Sequence, residues 1–166
     1  MNKNIEIYTD GSSLGNPGPG GWGVVIVITN DKPARRQGGL RITNLKPEII
    51  ELGGGEKNTT NNRMELTGAI EALKYVSKSD FAMSIIHTDS TYVLEGVTSW
   101  VENWEKNGWK TANKKPVLNQ KLWKELISLV KEFKGKIIWR KVKGHSGHVH
   151  NDRADEIATS RALLQK

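Results

Sequence analysis

The order of strand-like and helix-like segments constrains the fold of this chain more than any other feature. The first third carries strand-like segments separated by Gly- and Pro-rich turns, and the rest alternates between helices with an apolar stripe and short apolar strands. Strands joined by tight turns pair antiparallel, whereas strands joined through a helix run parallel. The order therefore predicts an α/β domain over residues 1–166, with three antiparallel strands followed by two parallel ones and helices flanking the mixed sheet.

The individual segments can be assigned from their periodicity and their turn residues. Residues 5–9 and 24–29 are predicted as a hairpin whose turn occupies the glycine-rich stretch from 11 to 23. An edge strand is expected from Arg35 to Ile42 and from Ile49 to Leu52. It is expected to end at a flexible run of three glycines at residues 53–55. A helix is expected after the N-cap candidates at 59–62, and its apolar stripe consists of Leu66, Ala69, Ile70, Leu73 and Val76. The elements expected after it are a strand at 81–87, helices at 91–101 and 118–133, a strand at 137–142, a loop at 143–150 and a helix from Asn151.

Composition narrows the class of protein. No apolar run is long enough to span a bilayer, and the chain has no cysteine, so we expect neither a disulfide framework nor a thiolate zinc site, and we expect a cytoplasmic location. The net charge of +7 is a modest indication of a polyanionic partner, although many small proteins are basic for solubility alone.

Four acids lie at the predicted ends of elements. Asp10 and Asp89 follow strands, and Glu65 and Asp155 fall in first turns of helices. Because ligands bind at the carboxyl ends of strands in open α/β sheets, the four could converge on one place, but four scattered surface acids are an equally good interpretation. If they converge, hard oxygen ligands favour Mg²⁺ or Mn²⁺, and two such ions about 4 Å apart would suit phosphodiester cleavage.

The histidines admit more than one interpretation. His145, His148 and His150 have a spacing that could suit zinc, but without thiolates a loop imidazole acting in proton transfer fits better. His87 shares a strand face with Asp89. It could contact the same site as Asp89, or it could have a structural role only.

One segment of the chain combines aromatic and basic residues. Trp100, Trp104 and Trp109 are interleaved with Lys106, Lys110, Lys114 and Lys115. Tryptophans are core residues by default, but this mixture favours stacking on sugars or bases together with phosphate contacts.

Several short motifs are spread along the chain. They are Tyr8-Thr9-Asp10-Gly11-Ser12 with Gly15-Asn16-Pro17-Gly18, Thr60-Asn61-Asn62-Arg63-Met64-Glu65-Leu66, Thr88-Asp89-Ser90, the stretch from Trp104 to Lys115, and Val142-Lys143-Gly144-His145-Ser146-Gly147-His148 with 151–156. Together these motifs resemble bacterial type 1 ribonuclease H from one end of the chain to the other. The resemblance implies a ribonuclease-H-like sheet and hydrolysis of the RNA strand of RNA/DNA hybrids with two Mg²⁺ ions, for which Mn²⁺ can substitute. A monomer without a small-molecule cofactor or a membrane partner is also expected.

The resemblance also implies roles for individual residues. The metal-binding acids would be Asp10, Glu65, Asp89 and Asp155, with His145 as the mobile imidazole. Substrate contacts would come from Gly11, Ser12, Asn16, Thr60, Asn61, Asn62, Trp100, Trp104, Trp109, Lys114, Lys115 and Asn119. Of these, Asn16, Asn61 and Asn62 fall where the family contacts mostly the RNA, and Thr60 and Asn119 where it grips a DNA-strand phosphate.

The chain departs from the family pattern in three places. Thr91 stands where the family often carries Gln, the segment 105–108 is less basic than expected, which predicts weaker hybrid affinity, and the stretch 42–52 is longer than usual. The alternatives to a ribonuclease H are a DNA nuclease or strand-transfer enzyme of the same architecture and a non-catalytic hybrid-binding module.

Overall fold

The computed structural model describes residues 3–30, 46–144 and 147–166. Within these ranges the strands are β1 (Lys3–Ser13), β2 (Gly18–Asn30), β3 (Glu48–Thr59), β4 (Met83–Thr88) and β5 (Lys136–Lys141). The helices are α1 (Asn61–Val76), α2 (Thr91–Glu95), α3 (Val101–Lys106), α4 (Gln120–Glu132) and α5 (Val149–Leu163), with a π-helical turn at Gly96–Trp100 between α2 and α3. None of the helices in the described part of the chain is both long and apolar enough to cross a membrane.

The described strands form one five-stranded mixed sheet in the order β3-β2-β1-β4-β5. The pairs β1–β2 and β2–β3 are antiparallel, and the pairs β1–β4 and β4–β5 are parallel. This confirms the predicted fold class, with β1 in the centre and β4 beside it.

Both faces of the sheet are covered, and each face has its own core. Ile5 and Ile7 of β1 pack with Leu66 and Ile70 of α1 in the larger core, which also contains Trp123 of α4. Tyr8 faces the other way, into a smaller core with residues of α5. The two faces follow from the alternation of side chains along a strand. All five residues of the stripe predicted for α1 are buried.

The predicted hairpin turn from 11 to 23 is too long. The strands continue into the glycine run, and the chain turns only between them, at residues 14–17. Packing explains the glycines inside β2: a Cβ on Gly21 would lie 2.3 Å from the carbonyl oxygen of Ala158, and one on Gly23 would lie 2.2 Å from that of Ala154. The glycines let α5 lie directly on the sheet.

The prediction of a flexible glycine run at residues 53–55 is also wrong, and close packing again explains the glycines. These glycines lie inside β3, where a Cβ on Gly54 would stand 2.8 Å from the Trp22 ring of the neighbouring strand. The other half of the predicted edge strand, from Arg35 to Ile42, lies outside the described residues, as do residues 42–45 of the longer stretch.

The helix predicted over 91–101 is present but contains an unpredicted π turn. The amide of Val101 bonds to the carbonyl oxygen of Gly96, a wider spacing than in an α-helix. The ring of Trp123 lies so close to Gly96 that an added Cβ would be 1.9 Å from it. Trp123, Leu126 and Ile127 are the buried residues of α4, whereas Leu122, Leu129 and Val130 are only partly buried.

Candidate active site

Three of the four predicted acids meet at one end of the sheet. Asp10, Glu65 and Asp89 each offer a carboxylate oxygen, and these oxygens lie within 4.8 Å of one another. We call these three residues the acid cluster. Asp10 lies inside β1 rather than after it, Glu65 lies beyond the first turn of α1, and Asp89 follows β4 directly. The strand-end prediction is therefore correct for Asp89 only, although the parallel pairing of β1 and β4 still brings both aspartates together.

Close backbone contacts hold the acid cluster in place. A Cβ on Gly11 would lie 2.3 Å from the amide nitrogen of Glu65, so only glycine lets β1 pass this near to α1. The amide of Gly11 also donates a hydrogen bond of 2.8 Å to Asp10 Oδ1. A Cβ on Gly144 would lie 2.5 Å from Asp89 Oδ2, so Gly144 is also in close contact with the acid cluster.

Burial and mutual repulsion make the acid cluster electrostatically unfavourable. Burial, followed by the charge of Asp89, raises the pKa of Asp10 from 3.8 to about 7. Burial, followed by the charge of Asp10, also raises the pKa of Glu65 well above its usual value. Such a cluster is stabilised by protonation or by a cation.

The acid cluster suits a divalent metal ion. Glu65 Oε2 is buried and has no hydrogen-bond partner, which leaves it available as a ligand. The donors are carboxylate oxygens only, and oxygen donors are those that Mg²⁺ and Mn²⁺ prefer. Among the described residues this is the one group of three or more acidic or histidine side chains with suitable spacing.

Asp155 lies near the acid cluster but outside that group. It belongs to α5 beyond the predicted first turn, and its charge contributes to the raised pKa of Asp10 less than that of Asp89 does. The four acids therefore do not form a set of equal spacing. How far Asp155 lies from Asp10 depends on where α5 rests on the sheet.

The predicted proton carrier His145 lies outside the described residues. The remaining histidines gather around Tyr8, a residue that the sequence reasoning missed. The Tyr8 ring stacks on His87 with ring centroids 4.5 Å apart and on His148 at 4.9 Å. Burial lowers the pKa of His87, and its ring packs against Tyr8 rather than joining the acid cluster. To expect the Tyr8–His87 contact from the sequence, one would have had to predict the register of β1 and β4, in which Tyr8 stands opposite His87.

Most of the polar residues predicted to contact substrate lie around the start of α1, whereas Asn119 lies at the N-cap of α4. The side chain of Thr60 caps the helix by accepting a bond from the amide of Arg63, and Asn16 Oδ1 accepts a 3.1 Å bond from the amide of Asn61. Asn62 is exposed in the first turn, and Ser12 is half-buried in β1. These residues lie at the end of α1 that leads to Glu65.

The predicted tryptophans form a continuous run of ring contacts that extends into the core. The centroid distances are 5.8 Å from Trp100 to Trp104, 6.1 Å from Trp104 to Trp109 and 5.5 Å from Trp104 to Trp123. We call Trp100, Trp104, Trp109 and Trp123, with Tyr92, the tryptophan ladder. The Tyr92 hydroxyl accepts bonds from Trp123 Nε1 at 3.0 Å and from Asn119 Nδ2 at 3.2 Å.

Basic side chains flank the tryptophan ladder. Lys114 and Lys115 are exposed in the turn closed by the Lys110–Pro116 bridge, and the Lys124 ammonium lies 5.4 Å from the centre of the Trp109 ring. The ring contacts show that the tryptophan ladder contributes to packing. Contact between the ladder and a ligand stays a prediction.

Comparison with known proteins gives a consistent result. The sequence profile of the RNase H family matches residues 2–163. The Ribonuclease H of Mesorhizobium japonicum is 46% identical over 158 residues, which are 95% of this chain and 77% of that protein. The Ribonuclease H of Dechloromonas aromatica is 47% identical over 156 residues, which are 94% of this chain and 91% of that protein.

Solved structures show the same likeness. LC9-RNase H1, described as a type 1 RNase H with the type 2 active-site motif, superimposes with a TM-score of 0.80 at 32% identity, covering 100% of this chain and 75% of that one. LC11-RNase H1, solved in complex with an RNA/DNA hybrid, has a TM-score of 0.62 at 20% identity, covers 96% of this chain and 97% of that one, and shows the shared fold.

Proposed function

The chain belongs to the ribonuclease H family, and we propose that it hydrolyses the RNA strand of RNA/DNA hybrids with two Mg²⁺ ions, leaving 5′-phosphate and 3′-hydroxyl ends. The observation that carries the proposal is the acid cluster, with a buried Glu65 oxygen that has no hydrogen-bond partner. Mn²⁺ can substitute, because both ions prefer oxygen ligands.

In this mechanism the residues of the chain bind and orient the reacting groups. Asp10, Glu65 and Asp89 would hold the divalent ions, and Asp155 would complete the ligand set. When bound, the ions supply an activated water and stabilise the charge of the departing 3′ oxygen. In the proposal His145 takes part in proton transfer at the reacting phosphate group, a role that histidine side chains commonly have in catalysis.

Recognition of the RNA strand follows from its 2′-hydroxyl groups, which distinguish RNA from DNA. In the proposed complex the backbone of Gly11 and Ser12 and the side chains of Asn16, Asn61 and Asn62 contact the RNA. Their place around the start of α1 supports this, because a helix N-terminus favours bound phosphate.

The DNA strand is assigned to further residues. Thr60, at the N-cap of α1, and Asn119, at the N-cap of α4, bind a DNA phosphate in the proposal. Other contacts to the hybrid are assigned to Trp100, Trp104, Trp109, Lys114 and Lys115. Three of the acids lie together in the acid cluster, and the net charge of the whole chain is nevertheless +7. This positive charge supports binding to a polyanion.

The test is cleavage of a hybrid labelled on either strand, with and without EDTA. We expect cleavage of the RNA strand only, loss of cleavage in EDTA, and products with 3′ ends that a polymerase can extend. Duplex DNA and duplex RNA serve as competing substrates. Cleavage of duplex DNA at a similar rate would support the DNA nuclease alternative. Binding without cleavage in Mg²⁺ or Mn²⁺ would support the non-catalytic module.

The proposal also includes a monomer that acts in the cytoplasm without a small-molecule cofactor. Sedimentation of the purified chain tests the first point, and fractionation of the producing cells tests the second. Full activity of dialysed protein with hybrid and Mg²⁺ alone tests the third.

A further inference from the structure

Tyr8 occupies a central place between the elements that carry the predicted acids. It lies in β1, two positions before Asp10, and is only 3% exposed. Its ring is nearly parallel to that of His87, with an interplanar angle of 6°, and tilted by 30° from that of His148. The buried Tyr8 ring therefore stacks with two imidazoles, one from β4 and one from the residue before α5.

Each partner of Tyr8 belongs to an element with an acid of its own. His87 is directly opposite Tyr8 in the pairing of β1 with β4, and Asp89 follows two positions later. His148 is the residue before the first turn of α5, and Asp155 lies further along that helix. The stack therefore joins β1, β4 and the start of α5 at one point.

The hydroxyl of Tyr8 contributes less to this junction than its ring does. It donates a 2.8 Å hydrogen bond to Glu6 Oε2, and burial followed by this bond raises the pKa of Tyr8. With its hydrogen used, the oxygen could only accept from His148 Nε2, and that separation of 3.5 Å is long for a hydrogen bond. The contact to α5 is consequently made mainly by the faces of the rings.

The rest of α5 shows why its beginning needs such a contact. Ala154 and Ala158 rest on the glycines of β2, which sets the height of the middle of the helix above the sheet. In the first turn Val149 is 69% exposed, whereas Asn151 is buried but has an Oδ1 atom without a hydrogen-bond partner. His150 adds a second imidazole near Tyr8, with centroids 5.5 Å apart.

We propose that Tyr8 is a positioning residue whose ring, stacked on His87 and His148, holds the start of α5 where Asp155 can share a metal ion with the acid cluster. This inference rests on the proposed function. Asp155 lies outside the group of oxygens within 4.8 Å, so the setting of α5 decides whether it takes part. Small displacements of this kind matter, since a shift of about 1 Å can reduce a rate about a hundredfold.

The experiment compares Tyr8→Phe, which keeps the ring, with Tyr8→Leu, which removes it. His148→Ala removes the imidazole that stacks on Tyr8 from the start of α5; His148 is exposed and makes no capping bond through its side chain, so this variant should fold. Tyr75→Leu is the matched control, because Tyr75 packs against the larger core on α1 and has no part in the stack.

Three quantities are measured: kcat and KM on a hybrid, the affinity of the hybrid-free protein for Mn²⁺, and the hydrogen exchange of the amides of residues 149–155. We expect Tyr8→Phe to match the wild type in all three. For Tyr8→Leu and His148→Ala we expect a decrease of about tenfold in kcat and in Mn²⁺ affinity, with KM unchanged and faster exchange at the start of α5.

The inference is overturned if folded Tyr8→Leu or His148→Ala retains wild-type kcat and Mn²⁺ affinity, or if Tyr75→Leu loses as much. It is also overturned if Tyr8→Phe is as defective as Tyr8→Leu, since the hydroxyl would then be the important group. If the wild type cleaves no hybrid, the proposed function fails. The Mn²⁺ affinities still decide the inference in that case.

Discussion

The acid cluster and the tryptophan ladder are opposite in their energetics. In the acid cluster three carboxylates are brought together, two of them with raised pKa values, and one buried oxygen has no hydrogen-bond partner. In the tryptophan ladder the rings contact one another, and the Trp123 and Asn119 nitrogens donate to one tyrosine oxygen. The acid cluster reduces the stability of the metal-free protein, whereas the ladder increases it.

The contrast between the two regions shows which kind of feature indicates a function. An arrangement that opposes folding is retained only where it does something else, so the acid cluster points to a ligand. An arrangement that favours folding is explained by packing alone, so the ladder does not by itself identify a binding surface. Substitutions in the two regions should consequently affect activity and stability in opposite ways.

Asp10→Asn should give the largest effect. The variant loses a metal ligand, and hybrid cleavage should decrease by at least about 10³-fold, since metal ions supply several kcal/mol of transition-state stabilisation. Stability of the metal-free protein should increase because a buried charge is removed. Cleavage assays and urea unfolding in EDTA measure the two effects, with Asp80→Asn, an exposed acid beyond α1, as control. Near-normal cleavage by Asp10→Asn would contradict the assignment of the site.

The pH dependence of stability should show the next effect. The pKa of Asp10 is near 3.8 in the unfolded chain and about 7 in the folded protein. Between these values the folded state retains a proton that the unfolded state has lost, so the free energy of unfolding should fall as pH rises from about 4 to 7. The decrease should be on the order of a few kcal/mol, because one pKa unit corresponds to about 1.4 kcal/mol.

Urea unfolding at a series of pH values, with EDTA or with excess Mg²⁺, measures this dependence. Mg²⁺ should offset the decrease most strongly at pH 7 and above, where the carboxylates are ionised. Asp10→Asn should have a shallower dependence than the wild type. Equal slopes in the two proteins would show that Asp10 is not the group responsible.

Trp104→Leu should have the opposite signature to Asp10→Asn. Loss of the ring from the centre of the tryptophan ladder should lower the free energy of unfolding by about 2 kcal/mol, with kcat nearly unchanged. Trp139→Leu is the matched control, since Trp139 packs against the same core but lies in β5. An increase in KM for Trp104→Leu alone would assign a binding role to the ladder, and equal KM values in the two variants would leave it with packing only.

Lys115→Gln should have the smallest effect. Lys115 is exposed beside the tryptophan ladder, so stability should not change. If it contacts a phosphate, KM should increase about twofold, and the slope of log KM against log salt should decrease by about one. Lys78→Gln, at an exposed position after α1, is the control. The same salt dependence in both variants would remove Lys115 from the proposed interface.

The nearby acids bear on the prediction of weak hybrid affinity. Glu105 forms an ion pair of 2.5 Å with Lys131, and Glu102 forms one of 2.7 Å with Lys106. Two lysines near the tryptophan ladder are thus partly neutralised. This agrees with the reduced basicity of the segment, and the affinity itself stays a prediction.

The order of the elements, the buried stripe of α1 and the pairing of strands around β1 can all be predicted from the amino-acid sequence. These properties depend on local periodicity and on the length of connections, which are present in the chain itself. The motifs also indicated the family and the four acids before any geometry was known.

Which of those acids meet depends on tertiary packing and could not be predicted from the sequence. The pattern places Asp155 with the other three, but its distance from Asp10 depends on the setting of α5, and that depends on Gly21, Gly23 and the Tyr8 ring. The same close packing explains why glycines that were predicted to form a turn lie inside strands. Periodicity reports whether a residue is buried, whereas the distance between two elements is set by the side chains packed between them.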